Sequence, residues 1–315
     1  MKKNAKIFKK NKKIPKILLF VFITAVMIFH IFSAVIVSAD KKVSAPETVF
    51  ANTNAKIDFT EANKTGIVKV NAVSKTDVRI KVTITKNEKN SMTYTYNLKN
   101  DASVEAFPLQ MGDGEYIVRV WHHEKGTTYR LKLTAKYYVG LLDQYAPYLS
   151  PNQYINFNKD SKIVKKAEEL TKNSKTDLEK VEAIYKYVIN HIKYDTHKAA
   201  TVQEGYLPEV DAIIDAGKGI CFDYAAVLTA MLRSQGIPAK LAIGYVKDIN
   251  GGEPVYHAWT KFYLDAKEFT INAVKVDRET NLIRVDPTFD AGSNGNKKVL
   301  RFVSDDENYN PLKKY

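Results

Sequence analysis

Between about residues 57 and 138 apolar and polar positions alternate one by one. Val78, Ile80, Val82 and Ile84 fall on one side of the chain and Arg79, Lys81, Thr83 and Thr85 on the other, the period of a strand with one buried and one wet face. The alternation returns at Tyr94, Tyr96 and Leu98, at Tyr116, Val118 and Val120, and at Leu131 and Leu133. Turn chemistry separates these runs at Asn100-Asp101, Gly112-Asp113-Gly114 and Glu124-Lys125-Gly126. About six or seven short strands with polar turns predict a small antiparallel β-sandwich over residues 55–140. Spacer, substrate-docking module and wall-binding module are all compatible with it. The residues before it, 40–54, mix Ser, Pro, Thr, Asn and Lys without periodicity and read as a linker.

Beyond residue 155 the period lengthens. Asp160-Ser161 can cap a helix whose Ile163, Val164, Ala167 and Leu170 share a face. Thr176 and Glu179 have capping-box spacing ahead of a second stripe at Leu178, Val181, Ile184, Tyr185, Val188 and Ile192. A third helix is expected from Cys221 to Ser234, apolar nearly all round and therefore central to its domain. Gly236-Ile237-Pro238 ends it. The pattern then returns to strands at Ala239 to Val246, Val255 to Leu264, Phe269 to Val276 and Leu282 to Val285, the last running into Asp286-Pro287-Thr288. In the second of these, Val255, His257, Trp259 and Lys261 share one side. Helices followed by antiparallel strands make residues 141–315 an α+β domain.

The N-terminus changes the expected address of this fold. Eight lysines and no acid occupy the first sixteen residues and supply +8 of the formal +13. The high pI therefore reports the leader, and no basic stripe marks the rest as a nucleic-acid binder. Ile17 to Val37 is apolar apart from Thr24, His30 and Ser33, long enough to cross a hydrocarbon layer about 30 Å thick. Lysines ahead of that run hold the N-terminus in the cytoplasm and put everything after Asp40 outside. Residues 1–39 are thus a signal peptide, with Val37-Ser38-Ala39 as a cleavage site, or a retained anchor. The length of the run leaves both open.

Cys221 is the single cysteine of the chain, so an intramolecular disulfide is excluded even in a compartment that permits one. It falls in the first turn of the central helix, after the turn Gly217-Lys218-Gly219. Unpaired amides and the positive end of the helix dipole favour a thiolate at such a place. His257 lies on a strand with a definite face, and Asp286 ends a strand nearby. A carboxylate there can hold an imidazole in one tautomer and stabilise its cation, as in nucleophile, base and acid triads. Other candidates are weaker. His122-His123-Glu124 offers no third metal ligand, and adjacent histidines on a strand face opposite ways, so no metal and no cofactor is expected. Tyr137, Tyr138, Tyr145, Tyr148 and Tyr154 suit interdomain packing more than a groove. Lys218 reads as a solvated charge.

Four separated blocks carry a family resemblance. Gly219-Ile220-Cys221-Phe222-Asp223-Tyr224-Ala225, Met231 to Ala239, Tyr256-His257-Ala258-Trp259 and Val285-Asp286-Pro287-Thr288-Phe289-Asp290 resemble the bacterial transglutaminase-like superfamily, in its order. The resemblance spans about residues 155–295 and implies a papain-like transglutaminase core there, helices packed on an antiparallel sheet, with Cys221, His257 and Asp286 as the triad. Trp259 and Tyr224 are candidates for oxyanion or groove support. The chain departs from the pattern at Leu282-Ile283-Arg284, where a tryptophan is common, and in a longer segment between Trp259 and Asp286. A cysteine acyl-transfer enzyme acting on protein or peptide amides follows. Hydrolysis is favoured over protein crosslinking by an amine acceptor, since no calcium site or amine tunnel is suggested. A non-catalytic wall-binding scaffold is the reading from another class.

Overall fold

The computed structural model describes residues 47–265, 274–277, 281–293 and 295–315. The lysine-rich start, the apolar run 17–37 and Ala39 lie outside them, as do 269–273 of the third expected strand. No described helix is long and apolar enough to cross a membrane.

The alternating region builds two four-stranded antiparallel sheets. One holds β1 (Val49–Ala51), β2 (Ala55–Asp58), β3 (Ile67–Ala72) and β6 (Glu105–Pro108), in that order; the other runs β5 (Thr93–Leu98), β4 (Ile80–Lys86), β7 (Gly114–Lys125) and β8 (Thr128–Val139). The period-two pattern is realised as read: Ile80, Val82 and Ile84 are buried, while Lys81, Thr83 and Thr85 are not. Ile57, Val68, Val70 and Phe107 from the first sheet join Val82, Tyr96, Tyr116 and Val118 from the second in one apolar core. β1 lies inside the stretch 40–54 expected as a linker. The polar residues there are the turn of a hairpin, with the Asn52 side chain accepting from the Asn54 and Ala55 amides. Phe50 then sets its edge against Phe59 at 6.2 Å. A second departure concerns His122-His123-Glu124, whose place beside a turn predicts exposure: His122 is buried.

Past the sandwich and its short helix α1 (Ala62–Thr65) come α2 (Lys162–Thr171), α3 (Asp177–His191), α4 (Thr196–Thr201), α5 (Val210–Ala216) and α6 (Cys221–Ser234). Between them β9 (Lys193–Tyr194) and β10 (Lys218–Gly219) pair in parallel. The expected cap of α2 is replaced by a tertiary one. Asp211 of α5 accepts from the Lys162 and Ile163 amides at 3.0 and 2.8 Å, satisfying two donors that the first turn leaves free. Thr176 does cap α3, accepting from the Glu179 amide at 3.2 Å.

Helix α6 is the axis of this half. From Asp223 to Arg233 every residue is buried. One side packs on α2, α3 and α5, and the other on the sheet formed by β13 (Val274–Asp277), β14 (Leu282–Val285), β12 (Val255–Tyr263), β11 (Ala239–Val246) and β15 (Tyr309–Lys314), all antiparallel in that order. Helices α7 (Pro287–Ser293) and α8 (Lys297–Ser304) precede β15. Gly244 of β11 is required by β15, because a Cβ there would lie 2.1 Å from the Asn310 carbonyl oxygen.

Residues 48–315 form one compact unit. The apolar core runs from the sandwich into the helices without a break. The tyrosine passage serves that union: Tyr145 and Tyr148 meet Tyr263 at ring distances of 4.8 and 5.8 Å. Tyr94 donates to the Lys314 carbonyl at 2.6 Å.

Candidate active site

Cys221 opens α6, and the turn that presents it is built by Asp223. Ile220 has no side chain able to cap the helix. Asp223, three residues on, reaches back to the Ile220 amide at 2.9 Å. The same carboxylate, fully buried, takes an ion pair from Lys198 at 2.6 Å and a hydrogen bond from Tyr206 at 2.7 Å. Gly219 makes room for it, since a Cβ at that position would stand 2.5 Å from Asp223 Cβ. The sulfur therefore sits on a first turn held from three sides, where the helix amides have no intrahelical partners.

His257 comes from β12, the strand that α6 packs against. Asp286 comes from the end of β14, the neighbour of β12 in the sheet, so the register delivers the carboxylate to the ring: His257 Nε2 and Asp286 Oδ2 are 2.8 Å apart. Both groups are buried. Asp286 Oδ1 accepts from the Phe289 amide at 3.1 Å and caps α7. Burial alone would drive the ring to its neutral form. The charge and hydrogen bond of Asp286, reinforced by the adjacent Cys221 sulfur, outweigh it and push His257 up to about 10. His257 thus holds its proton at neutral pH, with sulfur and carboxylate as its partners.

A cavity of about 590 Å³ opens beside the sulfur, lined by Cys221 and His257 together with Tyr154, Tyr194, Phe222 and Tyr256. Among the described residues no group of three or more His, Cys, Asp or Glu side chains is placed to hold a metal ion.

The two supporting candidates go elsewhere. Trp259 is fully buried among Ala242, Val246, Tyr309, Phe289 and Phe302, beside the His257 ring on the side away from the cavity. It braces the imidazole and does not wall the groove. Tyr224 is buried and donates to the Ile192 carbonyl at 2.5 Å, tying α6 to the end of α3. Lys218 is exposed and lies 3.6 Å from Asp195.

Tyr309 was not singled out by sequence. Its hydroxyl donates to Asp286 Oδ2 at 2.9 Å. Burial and the Asp286 charge raise its pKa far above the ordinary tyrosine range, so it stays a donor. The Arg284 guanidinium covers its ring at 3.9 Å. No pattern in the sequence pointed to it, since a strand that contains a proline, here Pro311, carries a weak local signal. Tyr194, at the cavity wall, likewise carried no signal beyond its place before Asp195.

The model of the transglutaminase-like superfamily matches residues 164–272, which include Cys221 and His257 and end before Asp286. No curated protein matches the chain. Among solved structures, a candidate cysteine protease from Cytophaga hutchinsonii is similar at 16% identity and TM-score 0.36, over 70% of this chain and 74% of its own. A candidate protease from Parabacteroides distasonis is similar at 17% identity and TM-score 0.28, over 70% of this chain and 43% of its own. The fn3 domain of the human collagen alpha-1(XX) chain is similar at 15% identity and TM-score 0.23, over 36% of this chain and 99% of its own. At such scores likeness assigns no activity. The family match over residues 164–272 and the packing of the described helices on an antiparallel sheet support a transglutaminase-like fold for this half.

Proposed function

We propose that the protein is an extracytoplasmic cysteine acyl-transfer enzyme that hydrolyses amide bonds of protein or peptide substrates. The observation that carries this is the buried 2.8 Å contact between His257 and Asp286 beside a cavity floored by Cys221. In this reading the thiolate of Cys221 attacks the amide carbonyl carbon and the C=O electrons move onto oxygen. The backbone N–H of Cys221 stands at the helix start to receive that oxyanion. His257 gives its proton to the departing amine, leaving an acyl thioester on Cys221. It then takes a proton from water as the water attacks the thioester, and collapse releases the acid and the thiolate. Asp286 holds the ring and stabilises its cation throughout, with Tyr309 holding Asp286. The address outside the cytoplasm rests on the N-terminal lysines and the apolar run 17–37, with that run as the contact to the membrane, as anchor or as cleaved signal.

Iodoacetamide should alkylate Cys221 at pH 6 faster than a model thiol, and Cys221→Ala should abolish turnover of peptide amides. Alkylation at the rate of an ordinary thiol would leave only a non-catalytic scaffold. A labelled primary amine offered with a glutamine-bearing protein should not be incorporated; incorporation would make the enzyme a crosslinker with the same three residues.

A further inference from the structure

A second chamber of about 760 Å³ adjoins the one at Cys221. Tyr154, Glu204, Gly205, Tyr206 and Lys313 line both, so the two form one cleft. Their linings differ in chemistry. Around Cys221 the walls are aromatic and aliphatic, with Val202, Phe222, Ile243 and Leu312 among the tyrosines. Past the shared residues the lining passes onto β4 and β5 of the sandwich and becomes polar. There Arg79, Lys81 and Lys313 face a single carboxylate, Glu204. Among the described residues none of these three cations has a carboxylate within ion-pair distance.

The backbone of this chamber is already occupied. β5 is an edge strand, which could pair with an incoming chain. At Asn97, however, its amide donates to the Gln153 side chain at 3.0 Å, and its carbonyl accepts from the same side-chain amide. The Thr95 carbonyl accepts from the Tyr154 hydroxyl at 3.4 Å. Recognition at this strand therefore falls to side chains, among them Arg79 and Lys313 without a carboxylate partner and Lys81, whose ammonium lies over the Tyr129 ring at 4.7 Å.

We propose that the sandwich supplies a subsite for acidic side chains of a polypeptide whose apolar residues lie at Cys221. The inference rests on the amide-cleaving reading for the fate of the bound chain, and on the cleft alone for its binding. Two linked chambers, one apolar and one basic, fit an extended chain better than a compact anion, and they give the sandwich a task in substrate selection.

The test uses fluorescent peptides of about twelve residues, enough for an extended chain to span roughly 40 Å. Each has four apolar residues at its centre and three glutamates, or three glutamines, on the N-terminal or the C-terminal flank. Binding to the Cys221→Ala protein is read by anisotropy. One of the glutamate peptides should bind at least about tenfold more tightly than its glutamine twin, and the preference should shrink in about 0.5 M salt. The double variant Arg79→Glu, Lys81→Glu, in the same background and with an unchanged melting temperature, should lose it. Equal affinity of the twins, or a preference that survives the double variant, overturns the subsite. Displacement of the glutamate peptide by dextran sulfate of matched charge as readily as by unlabelled peptide overturns the polypeptide assignment. Slow alkylation of Cys221 in the wild-type chain sinks the enzymatic reading while the binding results stand by themselves.

Discussion

His257 is a buried imidazole at the cavity wall whose protonation is decided by two opposed effects. Enclosure favours the neutral ring; Asp286 at 2.8 Å and the neighbouring sulfur favour the cation and win. The sign follows. A folded-state pKa raised from about 6.5 to about 10 means the charged ring adds its full contribution to stability below about 6.5 and loses it as pH rises towards 10. Reactivity that depends on the imidazolium beside the thiolate should hold across neutral pH and fail only on the alkaline side. Asp286→Asn removes the carboxylate and leaves burial in command, so the ring should lose its proton near or below neutrality. The expected outcome is an alkaline limb of peptide turnover displaced downward by more than one pH unit, with turnover at its optimum reduced about 10²- to 10⁴-fold. An unmoved turnover profile in a folded Asp286→Asn protein would assign the proton to another group.

At the scale of elements, the start of α6 depends on Asp223. Its carboxylate is out of solvent and serves the Ile220 amide, Lys198 and the Tyr206 hydroxyl, joining the helix start to α4 and to the loop 202–209. Replacing it by leucine leaves the buried Ile220 amide without an acceptor and removes the anion that holds Lys198 and the half-buried Tyr206 hydroxyl, and should cost about 3 kcal/mol by chemical denaturation. Lys198→Met should cost less, because that lysine reaches water and its partner keeps two donors. Amide exchange in residues 203–206 should accelerate in the leucine variant; a loop that exchanges as slowly as before would show that Asp223 does not hold it. What sequence could read here followed burial. Cys221–Ser234 and Ala239–Val246 were bounded correctly because an all-apolar helix ended by glycine and proline, and a strand ended by a glycine turn, leave little choice. β1 was missed because hairpin turns and linkers share a composition. β15 was missed because a strand containing proline gains its place from β11, a partner more than sixty residues earlier, and no local pattern records that. The destination of Trp259 was hidden for a similar reason: period two assigned its side of the strand, while the position of Tyr309 decided what it meets.

Across the molecule, one side chain on α6 joins parts that sequence separates widely. Arg233 is almost fully buried, and burial lowers its pKa to about 9. Its guanidinium donates to the Ala239 carbonyl and the Tyr315 backbone oxygen, each at 2.9 Å, and to the Ser150 carbonyl. Those acceptors belong to the start of β11, the chain after β15 and the passage leaving the sandwich. The planar fork of arginine matches three acceptors in different directions, which a lysine ammonium on a flexible stem does not. Arg233→Met should therefore take a donor from the Ser150 and Ala239 carbonyls, leave the Tyr315 oxygen with the Leu241 amide, and lower stability by about 3–5 kcal/mol, and Arg233→Lys should recover little of it. Because the apolar core is continuous from sandwich to helices, calorimetry should show one transition for the wild-type chain. In Arg233→Met it should fall by roughly 6–10 °C and broaden or split as the sandwich and the helical half lose their shared anchor. A variant that melts with the wild type would mean that the tyrosine contacts at Tyr263 and Tyr315 hold the two halves together by themselves.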